Sequence, residues 1–266
     1  MNINDVKHNF TKAATNYHDN AIIQQISAHK IIQLLQFYYN NHTSNALMLD
    51  LGSGSGTIDI ANIDNTLNDN SVNINHIKQN VINYDVSLAM LHHNNQSRYK
   101  INGDAHNIAI IDNSIAYVIS NLMIQWGIDK NKIISEVYRI LQVNGIAIIS
   151  TLAAPSLYEL QQVWSMVDYH NHTIKFLYNS DYLCTFNNNK FKILQNITWQ
   201  HTIYFNDLLS LLKHFKLSGT NLTKSTIGNH LNSRTFLEKL NNHYQKIAVN
   251  GMLPITYVYA LYVLSK

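Results

Sequence analysis

The sequence predicts a doubly wound α/β fold, a mostly parallel sheet of seven strands with helices on both faces and a helical cap. Three observations carry this. Short apolar runs of strand length alternate with stretches of helical periodicity along the chain. The run Ala46 to Leu51 passes at once into closely spaced glycines, as a strand does when it ends in a tight turn. The last run, Ile255 to Leu264, is rich in β-branched and tyrosine residues and reads as a final strand. At 266 residues the chain is long enough for one sizeable domain, 1–266, with N-terminal helices over 1–42 and the cap over 206–252.

Taken in order, Val6 to Tyr39 carries apolar residues at helical spacing (Ile22, Ile23, Ile26, Ile31, Leu34, Leu35, Tyr38) and predicts one or two amphipathic helices. Asn40 to Asn45 is a polar break. Further strands fall at Asn80 to Tyr84, Ile115 to Ser120, Gly145 to Leu152 and Ile197 to Phe205. Helices are expected at Asp129 to Leu141, where Ile133, Ile134, Val137, Ile140 and Leu141 share a face, and at Ser156 to Val167 after Pro155. Asn206 to Phe215 and Ser233 to Tyr244 read as the helices of the cap. No internal repeat is visible.

Composition bounds the function. The hydrophobic share is 46%, that of a globular protein with a buried core, and charged residues make up only 13%. A net charge of +3 is too weak an excess to predict nucleic acid as a partner. The longest apolar runs are strand-sized, so no membrane span is expected, and Met1 to Lys12 lacks the apolar stretch of a signal peptide. Cys184 is the single cysteine, which rules out an intramolecular disulfide and a cysteine-rich zinc site and fits a cytoplasmic setting. The fourteen histidines form no spaced ligand set, so no metal is expected, and His92-His93 reads as a surface pair. The abundant asparagine reads as compositional bias. Nothing in the sequence speaks to oligomeric state.

The chemistry begins at Leu49-Asp50-Leu51-Gly52-Ser53-Gly54-Ser55-Gly56. Glycines directly after a strand let backbone approach a polar or anionic ligand, and the following helix offers its first amides. A dinucleotide turn wants G-x-G-x-x-G, whereas Thr57 follows Gly56 here. A plain turn would also explain the glycines taken alone. Two further elements join them. Asn83-Tyr84-Asp85 closes a strand, where a carboxylate can accept both hydroxyls of a ribose. Asp85 lies further from the glycines than the usual spacing of roughly 20 residues, and the excess falls in the Asn-rich stretch Asn62 to Gln79, read as a surface insertion. Gly103-Asp104-Ala105 can set a carboxylate at the edge of an adenine ring; a simple turn residue is the alternative for Asp104.

Beyond these motifs the chain resembles the malonyl-acyl-carrier-protein O-methyltransferase family. The resemblance is carried by Asn121-Leu122-Met123-Ile124-Gln125-Trp126, by Glu136-Val137-Tyr138-Arg139 and by Ser156-Leu157-Tyr158-Glu159-Leu160 through Trp164 and Asp168. It begins at Phe10, Ala13, Ala14 and Tyr17, extends through Tyr204-Phe205-Asn206-Asp207 and Lys216 to Gly219, and reaches Pro254-Ile255-Thr256-Tyr257. It implies methyl transfer from S-adenosylmethionine to the free carboxylate of a malonyl thioester on acyl-carrier protein, at the head of biotin synthesis. The cofactor residues it implies are Asp50, Gly52, Gly54, Gly56, Asp85, Met90, Asp104, Ala105, Asn121 and Leu122. Two departures stand out. The family's proline and paired glycines after the fourth helix are here Gln142-Val143-Asn144-Gly145, with one glycine left to cap the helix. Its arginine before Phe176 is here Lys175, a point charge in place of a bidentate fork.

The implied reaction needs little acid–base help, because a carboxylate is ionised near neutral pH. Positioning should supply most of the rate, and no catalytic acid or base is expected. Tyr17, Trp126, Lys175 and Phe176 are the candidates for positioning the substrate; a helix anchor, a solvated lysine and core aromatics are their plainer readings. Lys213, Lys216 and Arg234 are candidates to meet the acidic carrier protein. A respiratory-complex assembly factor on the same fold is the nearest rival of another class. Those proteins follow the tryptophan with Asn-Asp-Leu-Pro-Gly, whereas Gly127-Ile128-Asp129-Lys130 follows Trp126. Another carboxylate or quinone-ring methyltransferase is the rival of the same class.

Overall fold

A computed structural model describes residues 3–15, 17, 21–39, 46–56, 58, 80–95, 99–167, 173–217 and 234–266. The polar break at 40–45, the Asn-rich stretch at 62–79, the helix expected directly after the glycines, Asp168 and Gly219 lie outside these residues.

Seven strands form one sheet in the order β3-β2-β1-β4-β5-β7-β6. They are β1 (Met48–Leu51), β2 (Val81–Asp85), β3 (Tyr99–Asn102), β4 (Ile115–Asn121), β5 (Leu141–Leu152), β6 (Lys192–Phe205) and β7 (Leu253–Ser265). The first five run parallel, and β7 lies antiparallel between β5 and β6. The described helices are α1 (Ile3–Ala13), α2 (Ile22–Tyr38), α3 (Leu88–His93), α4 (Lys130–Ile140), α5 (Tyr158–Ser165), α6 (Asn179–Asn188), α7 (Leu208–Leu217) and α8 (Arg234–Gln245).

Alternation along the strands feeds two cores, because successive side chains point to opposite faces. Leu49, Leu51, Val118, Ile149 and Tyr262 pack on one face with Ile133, Ile134 and Val137 of α4 and Tyr182 and Phe186 of α6. Met48, Ile119, Ile148, Leu261 and Val263 pack on the other with Ile31 and Leu35 of α2. A third cluster gathers α5, α7 and α8 (Leu160, Trp164, Leu211, Phe215, Leu240, Tyr244) over Leu253, Ile255, Tyr257 and Tyr259 of β7. Helix α4 starts where expected because the Asp129 side chain accepts from the Lys132 N–H, a cap worth about 1 kcal/mol.

Details of the fold depart from the sequence reading. Gly145 does not cap a helix: β5 runs on from Leu141, and it is Asn144 that takes a positive φ of 63°. A Cβ at position 145 would stand 2.9 Å from the Gln142 carbonyl oxygen and 3.1 Å from that of Ala116, so glycine is there for close packing of backbone. Strand β3 went unplaced because it is a short, largely exposed edge without apolar alternation. Helix α6 was missed because only Tyr182 and Phe186 of its ten residues are buried.

Candidate active site

Strand β1 has β2 on one side and β4 on the other, so the winding reverses there and a crevice opens at the carboxyl ends of the strands. A cavity of about 690 Å³ occupies it.

The turn after β1 forms its floor. Gly52 and Gly54 have φ of 74° and 54°, a region that favours glycine, and a Cβ on Gly52 would collide with the Met123 side chain. Both glycines line the cavity. Asp85, at the end of β2, takes the Gly54 N–H on Oδ2 at 2.9 Å and the Ser87 N–H on Oδ1 at 2.7 Å. Each oxygen keeps a lone pair for one ribose hydroxyl. Met90, on the first turns of α3, lines the same wall.

Asp50, in β1, and Gly56, at the far end of this turn, are both buried and outside the cavity lining. Burial, and then the neighbouring Asp85, pushes the Asp50 carboxyl up to about 8. Burial also raises Asp85, while the Ser87 and Gly54 N–H bonds oppose that shift.

The loop after β3 supplies the next wall with Gly103, Asp104, Ala105 and His106. His106 went unnoticed in the sequence, where nothing but its place beside Asp104 marks it. Its Nδ1 lies 2.6 Å from Asp104 Oδ1, which also accepts the His106 N–H. Its Nε2 accepts from the Asp129 N–H at 3.3 Å, which places the proton of a neutral ring on Nδ1. Asp104 Oδ2 takes part in neither contact and remains for an exocyclic amine. The rest of the loop is held by α4: Arg139 donates to the carbonyls of Ile108 and Ile110, and Glu136 accepts the Ile108 N–H.

The end of β4 closes the cavity. Asn121 Nδ2 donates to the Gln24 carbonyl and its Oδ1 accepts from Ser150. Leu122 is held at a φ of 50°, a strained value for leucine, with its N–H on the Ser150 carbonyl and hydroxyl. Trp126, in the 3-10 turn Ile124–Trp126, stacks edge-on against Phe10 and lines the cavity beside Tyr17.

Leu122 and Trp126 are also walls of a second cavity of about 590 Å³, so the two spaces share a partition. Gln24, Gln125, Thr173, Phe176, His214 and Tyr257 line this second space. Lys175 is not among its lining residues: its side chain is exposed, while Ile174 and Phe176 on either side face the cavity. Among the described lining residues the titratable ones are His214 and Tyr257, 3.0 Å apart. Burial pushes the imidazole of His214 down to about 4 and Tyr257 well up, so both are neutral near pH 7. Gln24, His214 and Tyr257 escaped the sequence reading of the site.

Residues 49–149 match the family described as "Methyltransferase domain". That stretch runs from β1 into β5 and includes the glycine turn, Asp85, the Asp104 loop and the β4 end. This match places a methyltransferase domain over the crevice, and the methyl donor of such a domain is S-adenosylmethionine. Among curated proteins, the malonyl-[acyl-carrier protein] O-methyltransferase of Yersinia pestis is 33% identical over 171 residues, covering 63% of this chain and 58% of the Yersinia protein. The protein of that name from Buchnera aphidicola is 28% identical over 219 residues, 81% of each chain. The crystal structure of a Thermotoga maritima SAM-dependent methyltransferase has a TM-score of 0.54 at 12% identity, covering 97% of this chain and 99% of that one, a likeness of fold.

The residues present fit this cofactor. Asp85 would hold the ribose and Asp104 with Ala105 the adenine edge, leaving the glycine turn with Asn121 and Leu122 for the amino-acid arm. S-adenosylmethionine supplies an electrophilic methyl group on a sulfonium whose sulfur departs with the bonding pair.

Proposed function

We propose that the chain methylates the free carboxylate of a malonyl thioester on acyl-carrier protein, giving the malonyl methyl ester that starts pimeloyl and biotin synthesis. The observation that carries this reading is the similarity to proteins of that name well outside the glycine turn, over 81% of the chain in the Buchnera case. The second cavity is the acceptor chamber in this reading, since it meets the cofactor space across Leu122 and Trp126. A carboxylate oxygen forms the new bond to the methyl carbon as the carbon–sulfur bond breaks; ester and thioether are both neutral, and no proton moves. Positioning by Trp126, Phe176 and Tyr17 therefore does the work.

The helices over 206–252 serve as a cap on this chamber. Lys175, Lys213 and Lys216 are exposed, each one residue from a residue lining the chamber (Ile174 and Phe176, His214, Phe215). This rim is where an acidic carrier protein docks. The side chain of Arg234 lies outside the described residues.

The test is methyl transfer from labelled S-adenosylmethionine to malonyl-acyl-carrier protein, beside malonyl-coenzyme A and a quinone precursor. Label is expected in the malonyl thioesters; label in the quinone precursor alone, or in none despite cofactor binding, overturns the reading. Replacing Lys175, Lys213 and Lys216 together by alanine is expected to raise KM for the carrier-bound substrate at least fivefold and to leave malonyl-pantetheine within twofold. Equal effects on both would remove the rim from carrier docking.

A further inference from the structure

The loop after β3 fixes the main chain and the side chain of Asp104 by different means. The Tyr84 hydroxyl at 3.3 Å and the Asn107 N–H at 3.0 Å both donate to the Asp104 carbonyl. The carboxylate is 42% exposed, and its rotatable bonds would give it several orientations in water. Among the described residues, His106 supplies both hydrogen bonds that hold it. The His106 N–H at 2.9 Å and the ring Nδ1 at 2.6 Å meet the same oxygen, Oδ1. On the far side of the ring, Nε2 accepts the Asp129 N–H at 3.3 Å. Asp129 caps α4, with its own Oδ1 on the Lys132 N–H, so this second anchor is the start of a packed helix. A neutral imidazole that accepts at Nε2 donates at Nδ1. The ring is thus a strut from helix to carboxylate, and Oδ2 is the oxygen it leaves unengaged.

We propose that His106 is the positioning residue of the adenine subsite, donating Nδ1–H to Asp104 Oδ1 and so presenting Oδ2 to the exocyclic amine of the cofactor. The amine donates and a carboxylate only accepts, so the match depends on which way Asp104 is turned. A ring held at both nitrogens sets that turn before the cofactor arrives, and binding then costs less side-chain freedom. Both Asp104 and His106 line the cofactor cavity, so the held carboxylate stands where a base would meet it. The strut also sets the choice of base. A 6-oxo purine brings an acceptor against the carboxylate, and a site built to receive a donor rejects a ligand without one. This contact serves the cofactor, whatever group receives the methyl.

The test compares His106→Leu and His106→Asn with the wild type by calorimetry, using S-adenosylhomocysteine and its 6-oxo analogue. The two replacements have nearly one shape, but asparagine keeps a donor at the place of Nδ1 and leucine has none. His106→Leu is expected to raise the Kd for S-adenosylhomocysteine at least tenfold and that for the 6-oxo analogue less than threefold. His106→Asn should stay within threefold of wild type for both ligands. In an Asp104→Ala background, His106→Leu should change the Kd for S-adenosylhomocysteine by less than twofold. Equal affinities in the two variants, equal losses for the two ligands, or a tenfold loss that persists without Asp104 overturns the assignment. Should His106→Leu fail to fold, the wild type decides through the nitrogen NMR signals of labelled histidine with S-adenosylhomocysteine bound. A His106 proton on Nδ1 alone upholds the strut, and a proton on Nε2 overturns it.

Discussion

His214 illustrates how much a single residue's surroundings decide. It sits in the wall of the second cavity with Nε2 on the Tyr257 hydroxyl, and burial lowers its pKa from 6.5 to about 4. A histidine depressed in the fold holds its stabilising contribution in full above pH 6.5 and loses it as pH falls toward 4, since the unfolded chain then binds the proton first. Each unit of that interval costs about 1.4 kcal/mol at most. Denaturant unfolding at pH 7 and pH 5 is expected to show His214→Gln losing less stability over the interval than wild type. Identical losses would place the acid-sensitive group elsewhere. The chemistry of the chamber follows from the same neutrality: near pH 7 neither His214 nor Tyr257 brings a net charge against an anionic acceptor.

Among the elements, α4 does more than cover the sheet. Glu136 is 5% exposed and accepts from Arg139, which holds its carboxyl below the usual range, and Arg139 reaches on to Ile108, Ile110 and Asp112. The loop so pinned is the one that carries Asp104 and His106. Arg139→Met leaves this buried carboxylate with only the exposed Lys132, 3.7 Å away, a loss of about 3 kcal/mol. The expected outcome is a drop in stability together with at least a fivefold rise in Kd for S-adenosylhomocysteine. A destabilised variant with unchanged cofactor affinity would reduce α4 to scaffolding. The sequence pattern made this helix legible, since Ile133, Ile134, Val137 and Ile140 repeat at its period, and it marked Glu136 to Arg139 only through family resemblance. Helix α2 was legible as part of the helical stretch Val6 to Tyr39, and Ile23, Ile31 and Leu35 of its apolar set are buried. Its buried face takes in Gln24 and Ser27 while Ile22 is exposed, so apolar periodicity pointed past the residue that lines the chamber. Glycines, strand-end carboxylates and the order of elements are local signals. Contacts such as Gln24 with Tyr17, or His214 with Tyr257, 43 positions apart, arise only on folding.

For the molecule as a whole, the sheet divides the labour. Its parallel half, β3-β2-β1-β4, delivers Asp104, Asp85, the glycine turn and Asn121 to the cofactor cavity from four neighbouring strand ends. The second cavity, the acceptor chamber of the proposed function, draws instead on α2, β7, α7 and the segment around Phe176. What joins the halves is the partition of Leu122 and Trp126, with leucine held in a strained backbone and tryptophan wedged against Phe10. On the proposed function, the methyl group crosses at that partition, the wall common to both spaces. Lesions on one side should then stay on that side: Asp104→Asn should weaken cofactor binding alone, as Phe176→Ala should weaken the acceptor alone. Trp126→Ala opens the partition and is expected to do both, raising cofactor Kd and acceptor KM by about tenfold each, about 1.4 kcal/mol apiece. Its kcat should fall further still, because the reacting atoms lose a wall that aligns them. Calorimetry for the cofactor and steady-state kinetics for the acceptor separate these effects. A Trp126→Ala enzyme that loses affinity for one ligand only would assign the tryptophan to that side, and the methyl group would have to cross beside Leu122 alone.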